Sequence, residues 1–143
     1  MKPNILLIVP RYFSTETCGY IMPMGILYVS AALKASGTCN VFTLNLNHYE
    51  EDDRSVLGKI IFQNNINVVG CGGISGQFIE IYPLFRIIKE INPAIITIAG
   101  GGMITADPIP AMDAFDGYAD IGAIGEGEIT MPELMQAIGT GSS

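Results

Sequence analysis

Strand-length apolar runs alternate with helix-like segments five times along this 143-residue chain. The predicted strands cover residues 4–9, 41–46, 67–70, 94–99 and 120–124. Apolar residues at helical spacing predict helices over residues 23–37, 56–61, 78–88 and 107–115, and from residue 130 onward. Strands that alternate with helices form parallel sheets through right-handed crossovers. The chain is therefore predicted to be an α/β protein, a doubly wound five-stranded parallel sheet in the flavodoxin-like or Rossmann-like order 2-1-3-4-5.

The composition indicates one domain whose sheet is covered on both sides. Apolar residues make up 49% of the chain and charged residues only 15%, which suits strands that are buried on both faces. The length is that of a single domain. Residues 1–138 are predicted to form this domain, and residues 139–143, Gly-Thr-Gly-Ser-Ser, are predicted to be a disordered tail or the stub of a linker.

The net charge, the apolar run at the amino terminus and the cysteines indicate which partners and which cellular compartment to expect. The formal net charge is −7 and no basic stripe runs along the chain, which argues against a nucleic-acid partner. The apolar run at the amino terminus is too short to span a membrane, so no membrane partner is expected. The three cysteines, Cys18, Cys39 and Cys71, are too widely spaced for a CxxC motif. Their odd number favours reduced thiols and a cytoplasmic protein.

Glycines cluster after three of the predicted strands. The clusters are Gly70, Gly72, Gly73 and Gly76; Gly100, Gly101 and Gly102; and Gly125 and Gly127. All of them fall at the carboxyl ends of the strands, which is the edge where open α/β sheets bind their ligands. Glycine lets the backbone approach a ligand closely, and helix amino termini suit phosphate. Tight turns use glycine as well, but three clusters on one edge favour a nucleotide-like cofactor site.

Several nucleotide-binding classes can be compared with this pattern. Strand one ends in Val9-Pro10-Arg11 rather than in G-x-G-x-x-G, which excludes the usual dinucleotide fingerprint. A phosphoacceptor domain would need acidic residues after strand one and an Asp after strand three, and neither is present. The stretch Ser14–Gly19 loosely fits a flavin mononucleotide phosphate loop. Two alternatives therefore remain open: a flavin or other nucleotide module, and a degenerate interaction scaffold whose ligand edge is filled by its own side chains.

Four segments closely resemble the amino-terminal cobalamin-binding domain of radical S-adenosylmethionine enzymes. They are Pro23–Leu33, Gly70–Ser75, Ala99–Gly102, and Gly125-Glu-Gly-Glu128 with the nearby Thr130. The resemblance covers nearly the whole chain, and the Gly-Glu-Gly-Glu element is its most specific part. It implies a cobalamin-binding module of a methyltransferase- or cyclase-type enzyme, with the corrin across the carboxyl edge and the dimethylbenzimidazole nucleotide tail between sheet and helices.

The resemblance also implies the cofactor-binding residues. Ser75 and its glycines would line the tail pocket, Gly100–Gly102 would allow close backbone contact, Gly125–Glu128 would border the nucleotide, and the loop from Tyr12 to Met24 would lie near the corrin face. Thr105 would hydrogen-bond the tail phosphate or cap the short helix. The predicted set is Tyr12, Gly19, Met24, Gly73, Ser75, Gly76, Gly100, Gly101, Gly102, Thr105, Gly125, Glu126, Gly127 and Glu128.

Two motifs of related proteins are missing from the sequence. The D-x-H-x-x-G motif that carries a cobalt-ligating His in other cobalamin domains is absent, and the single histidine, His48, follows strand two instead. Cobalamin is therefore expected in a His-off form, with its lower face open to water, Tyr12 or Tyr20. The C-x-x-x-C-x-x-C motif of an iron–sulfur cluster is also absent. The cluster, S-adenosylmethionine and all catalytic residues are thus expected in a separate catalytic domain, in the same or a longer chain.

Other polar or sulfur-containing residues are interpreted as structural. Cys71 is expected to be a small buried apolar residue rather than a reactive thiol. Glu126 and Glu128 are expected to stabilise the amino end of the last helix through their negative charge, rather than to form an acid/base pair. The methionines Met22, Met24, Met103 and Met131 are expected at the ligand edge, either against the corrin or as filling of irregular space.

Overall fold

The computed structural model describes residues 2–11, 24–72 and 77–141, apart from the side chain of Met24. Its strands are β1 (Asn4–Val9), β2 (Asn40–Asn45), β3 (Val68–Gly72), β4 (Ile96–Gly100) and β5 (Ile121–Gly122). Its α-helices are α1 (Met24–Ser36), α2 (Asp53–Gln63), α3 (Phe78–Ile91), α4 (Gly102–Ala106), α5 (Pro108–Ala114) and α6 (Gly127–Thr140). A short 3-10 helix, Leu46–His48, follows β2. No helix in this part of the chain is long and apolar enough to cross a membrane.

The five strands form one parallel sheet in the order β2-β1-β3-β4-β5, which confirms the predicted fold class. The order reverses between β1 and β3, so the carboxyl ends of these strands border the crevice where this fold type binds ligands. The register aligns Leu7 with Gly70, Gly70 with Ile98, and Ile98 with Ile121. This row of four residues crosses the sheet near the carboxyl edge, and three of them, Leu7, Gly70 and Ile98, form most of the floor of the site described below.

Side chains that alternate along each strand enter two separate cores. On one face, Leu6, Ile8 and Val69 pack beneath α2, α3, α4 and α5. On the other face, which we call the α1/α6 face, Ile5 and Val68 pack beneath α1 and α6. Because successive strand residues point to opposite faces, a near-continuous apolar sequence fills both cores.

A polar network fixes the outer edge of the sheet, where β5 has only two residues. The Lys89 ammonium donates to the Asp120 carboxylate and to the Ile95 carbonyl, both at 2.6 Å. The Thr97 amide donates to the same carboxylate at 2.8 Å, and the Thr97 hydroxyl donates to the Tyr118 carbonyl at 2.6 Å. Burial alone would raise the pKa of Asp120, but the hydrogen bonds and charge of Lys89 and the bonds from Thr97 together lower it. The network ties α3 and β4 to the chain entering β5.

Some predicted element boundaries are wrong. β5 is predicted over residues 120–124 but spans only Ile121–Gly122. The Ala123 amide still donates to the Ala99 carbonyl at 2.8 Å, and the chain then turns at Gly125, whose φ is +85°. The predicted start of the last helix at Thr130 is also wrong: α6 begins at Gly127, and the Glu126 carbonyl accepts from the amides of Ile129 and Thr130 at 3.1 Å. Helix α4, which follows Gly101 at a φ of +84°, was not predicted.

Candidate functional site

A cavity of about 380 Å³ opens at the carboxyl edge of the sheet and runs inward beneath the α1/α6 layer. Its volume lies within the range of about 300–1,000 Å³ that is usual for small-molecule sites. The floor comes from the sheet and the outer wall from the two helices. The floor residues are Leu7, Gly70, Ile98 and Ala123, and the wall residues are Ile26, Val29 and Met131.

The cavity exists because the α1/α6 face of the sheet carries small residues near its carboxyl edge. Gly70 lies between Leu7 and Ile98 in the register, so it interrupts a row of large side chains. A Cβ atom built on Gly70 would lie 3.0 Å from Leu7 Cδ2. Next along the strand on the same face, Gly72 pairs with Gly100, and a Cβ on Gly72 would lie 2.8 Å from the Gly100 carbonyl oxygen. A side chain at Gly70 would therefore crowd the floor of the cavity, and one at Gly72 would collide with the backbone of Gly100.

Large side chains close the inner end of the cavity. Ile5 and Val68 form the next row of the sheet toward its amino edge, and both are fully buried. Leu33 of α1 and Met135 of α6 cover them and are also fully buried. The row that contains Leu7, Gly70 and Ile98 therefore lies one pleat repeat, about 7 Å, closer to the carboxyl edge than this closed part of the core. The result is a slot that is open at the carboxyl edge and blind at its base.

Helix α6 approaches α1 closely at its first residue. A Cβ atom built on Gly127 would lie 2.8 Å from Val29 Cγ2. Valine in a helix has one strongly preferred side-chain rotamer, so Val29 cannot simply turn aside. Gly127 therefore sets the distance between the two helices that wall the slot.

Gly127→Ala is expected to lower the free energy of unfolding by about 1–2 kcal/mol through this overpacking. The same change at Gly58 in α2, where an added Cβ meets nothing within 4 Å, should instead raise it by about 0.5–1 kcal/mol through helix propensity. Urea denaturation of both variants measures the contrast. In the double variant Gly127→Ala/Val29→Ala, the loss in the free energy of unfolding should be about 1 kcal/mol smaller than the sum of the losses in the two single variants. Strictly additive effects would show that the two residues do not press on each other.

The glycine loops at the mouth of the slot are connected by Thr105. Its hydroxyl oxygen accepts from the Gly125 amide at 3.0 Å. This contact joins α4 to the turn after β5, and it is neither of the two roles predicted for the residue. Thr105 is exposed, and contact with a phosphate stays a prediction.

The structure gathers many of the predicted site residues at this slot. Lining positions are occupied by Gly100, Gly101, Gly102, Gly125, Glu126, Gly127 and Glu128. Met24 begins α1 beside the lining residue Gly25, but its side chain is outside the described part. The predicted residues Tyr12, Gly19, Gly73, Ser75 and Gly76, and the stretch Ser14–Gly19, lie outside the described residues.

Sequence reasoning missed most of the floor and wall. The floor residues Leu7, Ile98 and Ala123 look like ordinary core residues in the sequence, as do the helix residues Ile26 and Val29. The signal that could have located the floor is the alternation of side chains between the two faces of each strand. It places Gly70, Gly72 and Gly100 on the same face of the sheet as Leu7 and Ile98. Gly70 was recognised as part of a glycine cluster but was not assigned to the site. Because a buried strand is apolar on both faces, the pattern did not show which face carries the open space.

The sulfur-containing residues have different surroundings. Burial raises the pKa of the Cys71 thiol to about 12, so Cys71 stays protonated and behaves as a small apolar residue, as expected. Met131 lines the slot. Met103 follows the carboxyl end of β4, beside the lining residue Gly102, but its side chain packs into the core on the opposite face. Met22 lies outside the described residues.

Cationic and metal-binding groups contribute little to the described part of the slot. The Arg11 guanidinium donates to Asp53 at 3.1 Å and to the carbonyls of Tyr49 and Glu51 at 2.6 and 2.9 Å. Arg11 thereby fastens the end of β1 to the loop before α2. His48 is exposed in the 3-10 helix after β2. Within residues 2–11, 24–72 and 77–141, no group of three His, Cys, Asp or Glu side chains could hold a metal ion.

Exposed apolar side chains surround the carboxyl edge. Leu27 and Tyr28 in the first turns of α1 are 44% and 56% exposed, and Ile79 at the start of α3 is 63% exposed. Ile124 and Ile129, on either side of the Gly125–Glu128 loop, are 54% and 67% exposed. Each of these side chains belongs to a segment that follows the carboxyl end of a strand.

Comparison with protein families gives a match over most of the chain. A family model described as a B12 binding domain matches residues 14–135. The anaerobic magnesium-protoporphyrin IX monomethyl ester cyclase of Rubrivivax gelatinosus is 30% identical over 140 residues, which is 96% of this chain and 25% of the cyclase. The chain therefore spans about a quarter of the length of this curated relative.

Solved structures share the fold. A radical S-adenosylmethionine methyltransferase, TsrM from Kitasatospora setae, with cobalamin and a [4Fe-4S] cluster bound, superposes with a TM-score of 0.83 at 21% identity, over 100% of this chain and 26% of TsrM. The cobalamin-dependent S-adenosylmethionine radical enzyme OxsB, with aqua-cobalamin and S-adenosylmethionine bound, gives a TM-score of 0.77 at 15% identity, over 99% of this chain and 19% of OxsB. At these identities the likeness shows the common fold.

Proposed function

The chain belongs to the B12-binding domain family, and on that premise we propose that it holds cobalamin, with the corrin over the carboxyl edge and the nucleotide tail in the slot beneath α1 and α6. The observation that carries the proposal is the slot itself. It is blind at the base, open at the glycine-rich edge and within the volume range of small-molecule sites. The narrow nucleotide tail of cobalamin suits a slot of this shape, and the broad corrin ring would remain outside it at the carboxyl edge.

The residues present fit such a tail. Gly70 leaves space on the floor that a side chain would crowd, Gly72 lets β3 lie close to the backbone of Gly100, and Gly127 sets the spacing of the two walls. The floor and walls are apolar and suit an aromatic base. Gly100, Gly101 and Gly102 line the slot where β4 ends, and Gly127 and Glu128 line it in the first turn of α6; we expect backbone amides there to bind the tail phosphate. The segments outside the described residues, including Ser75, are proposed to complete this pocket.

Cobalamin, when bound, supplies the cobalt chemistry of methyl transfer or radical reactions, and a protein domain of this kind positions and shields it. We expect no histidine from this chain on the cobalt. His48 lies after β2, on the side of the sheet away from β4 and β5. His48→Ala should therefore leave cobalamin affinity unchanged.

The proposed partner is a radical S-adenosylmethionine catalytic domain of the methyltransferase or cyclase type. Two observations support it. The relatives named above are about four to five times as long as this chain, and the apolar side chains of Leu27, Ile79 and Ile129 are exposed in the first turns of α1, α3 and α6, at the carboxyl edge of the sheet. The cluster and S-adenosylmethionine would belong to that domain. The cytoplasm is the proposed setting, because Cys39 and Cys71 are free thiols.

Co-elution with hydroxocobalamin tests the proposed function. The protein at tens of micromolar, mixed with hydroxocobalamin and passed through gel filtration, should retain the red corrin absorbance with about one cobalamin per chain. Flavin mononucleotide run in the same way should separate from the protein. Loss of all corrin absorbance together with retained flavin would overturn the cobalamin proposal in favour of a flavin module.

A further inference from the structure

A second groove lies at the β5 edge of the sheet, on the face opposite the α1/α6 face. It has a volume of about 380 Å³ and is lined by α4, α5 and the chain around β5. Its lining includes the fully buried Ile104, together with Ile109 and Ile124, which are 75% and 54% exposed. Gly122 allows α5 to approach β5 closely, because an added Cβ atom would lie 2.9 Å from Met112 Sδ. We call this feature the β5 groove.

Helix α5 is covered on only part of its surface. None of its seven residues is buried, and its contribution to the core consists of the half-buried Ala111 and Met112. Ile109, on the same helix, is left largely open to solvent. Because Ile109 and Ile124 line one groove, they belong to one apolar surface, and exposed apolar surface rimmed by polar groups is typical of interaction sites.

Charge is distributed unequally along the chain. All seven lysine and arginine residues lie within residues 2–89, where six acidic residues nearly balance them. Residues 90–143 contain no lysine or arginine but eight acidic residues: Glu90, Asp107, Asp113, Asp116, Asp120, Glu126, Glu128 and Glu133. Within the described residues, Glu90 and Asp120 are the members of this set that form ion pairs. The stretches outside the described residues contain no lysine or arginine that could pair with the others.

Acidic side chains accompany the β5 groove. Asp113 lines it, and Asp107 directly precedes the first residue of α5. Both residues are exposed, and neither takes part in the ion pairs found among the described residues. An apolar groove with an acidic rim is complementary to a surface that presents apolar side chains beside lysine or arginine.

The geometry of the β5 groove favours a helix as its occupant. A strand added to the sheet would need backbone partners along β5, which has only two residues, Ile121 and Gly122. A second copy of this chain that docked through the same face would bring the acidic groups of both copies together. An amphipathic helix instead places its apolar side chains in a groove and needs no free strand edge.

We propose that the β5 groove binds an amphipathic helix of a partner protein, one that carries lysine or arginine beside its apolar side chains. The apolar side chains lie between Ile109 and Ile124, and the cationic groups lie near Asp107 and Asp113. The proposal goes beyond cobalamin binding and is independent of it, because the β5 groove and the slot are on opposite faces of the sheet.

Two synthetic peptides of about 18 residues test the charge preference. Both carry leucine at helical spacing on one face, and the other face carries lysine in one peptide and glutamate in the second. In fluorescence anisotropy titrations with the native chain, the lysine peptide should bind with a Kd of about 1–100 μM, and the glutamate peptide at least about tenfold more weakly. Equal affinities, or no binding of the lysine peptide up to about 1 mM, would overturn the proposal.

Apolar variants locate the binding site of the lysine peptide. The double variant Ile109→Ser/Ile124→Ser removes apolar side chains from the β5 groove and should weaken binding by about tenfold or more. Phe62→Ser is the control, because Phe62 is 83% exposed on α2, outside the groove, and its removal should leave the affinity unchanged. Far-ultraviolet circular dichroism checks that both variants fold. Undiminished affinity in the double variant would place the peptide elsewhere and contradict the proposal.

Charge variants separate docking from attraction by net charge. Asp107→Asn/Asp113→Asn should weaken binding of the lysine peptide by about threefold or more at low salt. Glu50→Gln/Glu51→Gln removes the same number of charges from exposed positions between β2 and α2, at the opposite edge of the sheet, and should have little effect. Equal losses in the two variants would overturn the proposal, since the peptide would then respond to net charge alone. Neither result bears on co-elution with hydroxocobalamin, which tests the proposed function separately.

Discussion

Gly70→Val should reduce cobalamin affinity about a hundredfold while the protein stays folded. Gly70 is the one gap in the floor row between Leu7 and Ile98. An added Cβ lies 3.0 Å from Leu7 Cδ2, the far end of a flexible side chain, so Leu7 can yield by moving into the slot. The substitution thus fills the space twice, with its own methyl groups and with the displaced Leu7. Forcing a base into filled space costs about 1–3 kcal/mol, and affinity changes tenfold for about every 1.4 kcal/mol.

The stability of the unliganded variant makes this prediction specific. A β-branched residue favours a strand over glycine, so the free energy of unfolding should stay equal or rise, while affinity falls. Gly70→Ala should give an intermediate loss of about tenfold. Gly58→Ala on α2 is the matched control, because its added methyl group meets nothing and is far from the slot. Binding is measured by dialysis and stability by urea denaturation. Undiminished affinity in Gly70→Val would show that no part of cobalamin enters this row.

Asp120→Ala should lower the free energy of unfolding by about 2–3 kcal/mol. The change leaves the Thr97 amide without its acceptor and removes one of the partners of the Lys89 ammonium. Thr97 is fully buried and the Lys89 side chain is only 15% exposed, so water cannot readily replace the hydrogen-bond acceptor that either group loses. The loss should be visible as an earlier urea midpoint. Asp113→Ala, on the exposed side of α5, should change stability by less than about 0.5 kcal/mol.

The pH dependence of this loss follows from the lowered pKa of Asp120. A carboxyl group whose pKa is lower in the folded state stabilises the fold above its unfolded pKa, about 3.9 for Asp. That stabilisation disappears as the pH falls through the lower folded pKa. The difference between the native protein and Asp120→Ala should therefore be constant from pH 7 to about pH 5 and shrink below about pH 4. A difference that grows on acidification would contradict the proposed role of the ionised carboxylate.

The fold could be predicted from the sequence because its strongest signals are local. Five apolar runs separated by helical patterns leave few arrangements other than a parallel sheet, and the predicted strand order is the observed one. The errors occur where tertiary contacts override local signals. The Thr130–Glu133 capping pattern was a credible helix start, but the turn at Gly125 starts α6 three residues earlier. β5 is short, since its pairing with β4 covers only Ile121 and Gly122 and the turn at Gly125 follows closely.

The site was predicted only in part, for a related reason. Glycines at strand ends are visible in a sequence, and Gly100–Gly102 and Gly125–Gly127 do lie at the slot. The floor and walls depend on which face α1 and α6 cover, and that choice is made by packing rather than by pattern. Val29 and Met131 look like any other core residues until the helices are placed. Thr105 in α4 similarly gains its contact with Gly125, 20 residues further along the chain, only when the two segments are brought together.

The affinity of cobinamide relative to cobalamin tests the central claim most directly. Cobinamide carries the same corrin and cobalt but lacks the nucleotide tail, so it can occupy the carboxyl edge and leave the slot beneath α1 and α6 empty. Because the tail contributes the burial of an aromatic base, cobalamin should bind at least about a hundredfold more tightly. Equal affinity of the two corrinoids would contradict the account, since it would mean that the slot plays no part in holding the cofactor.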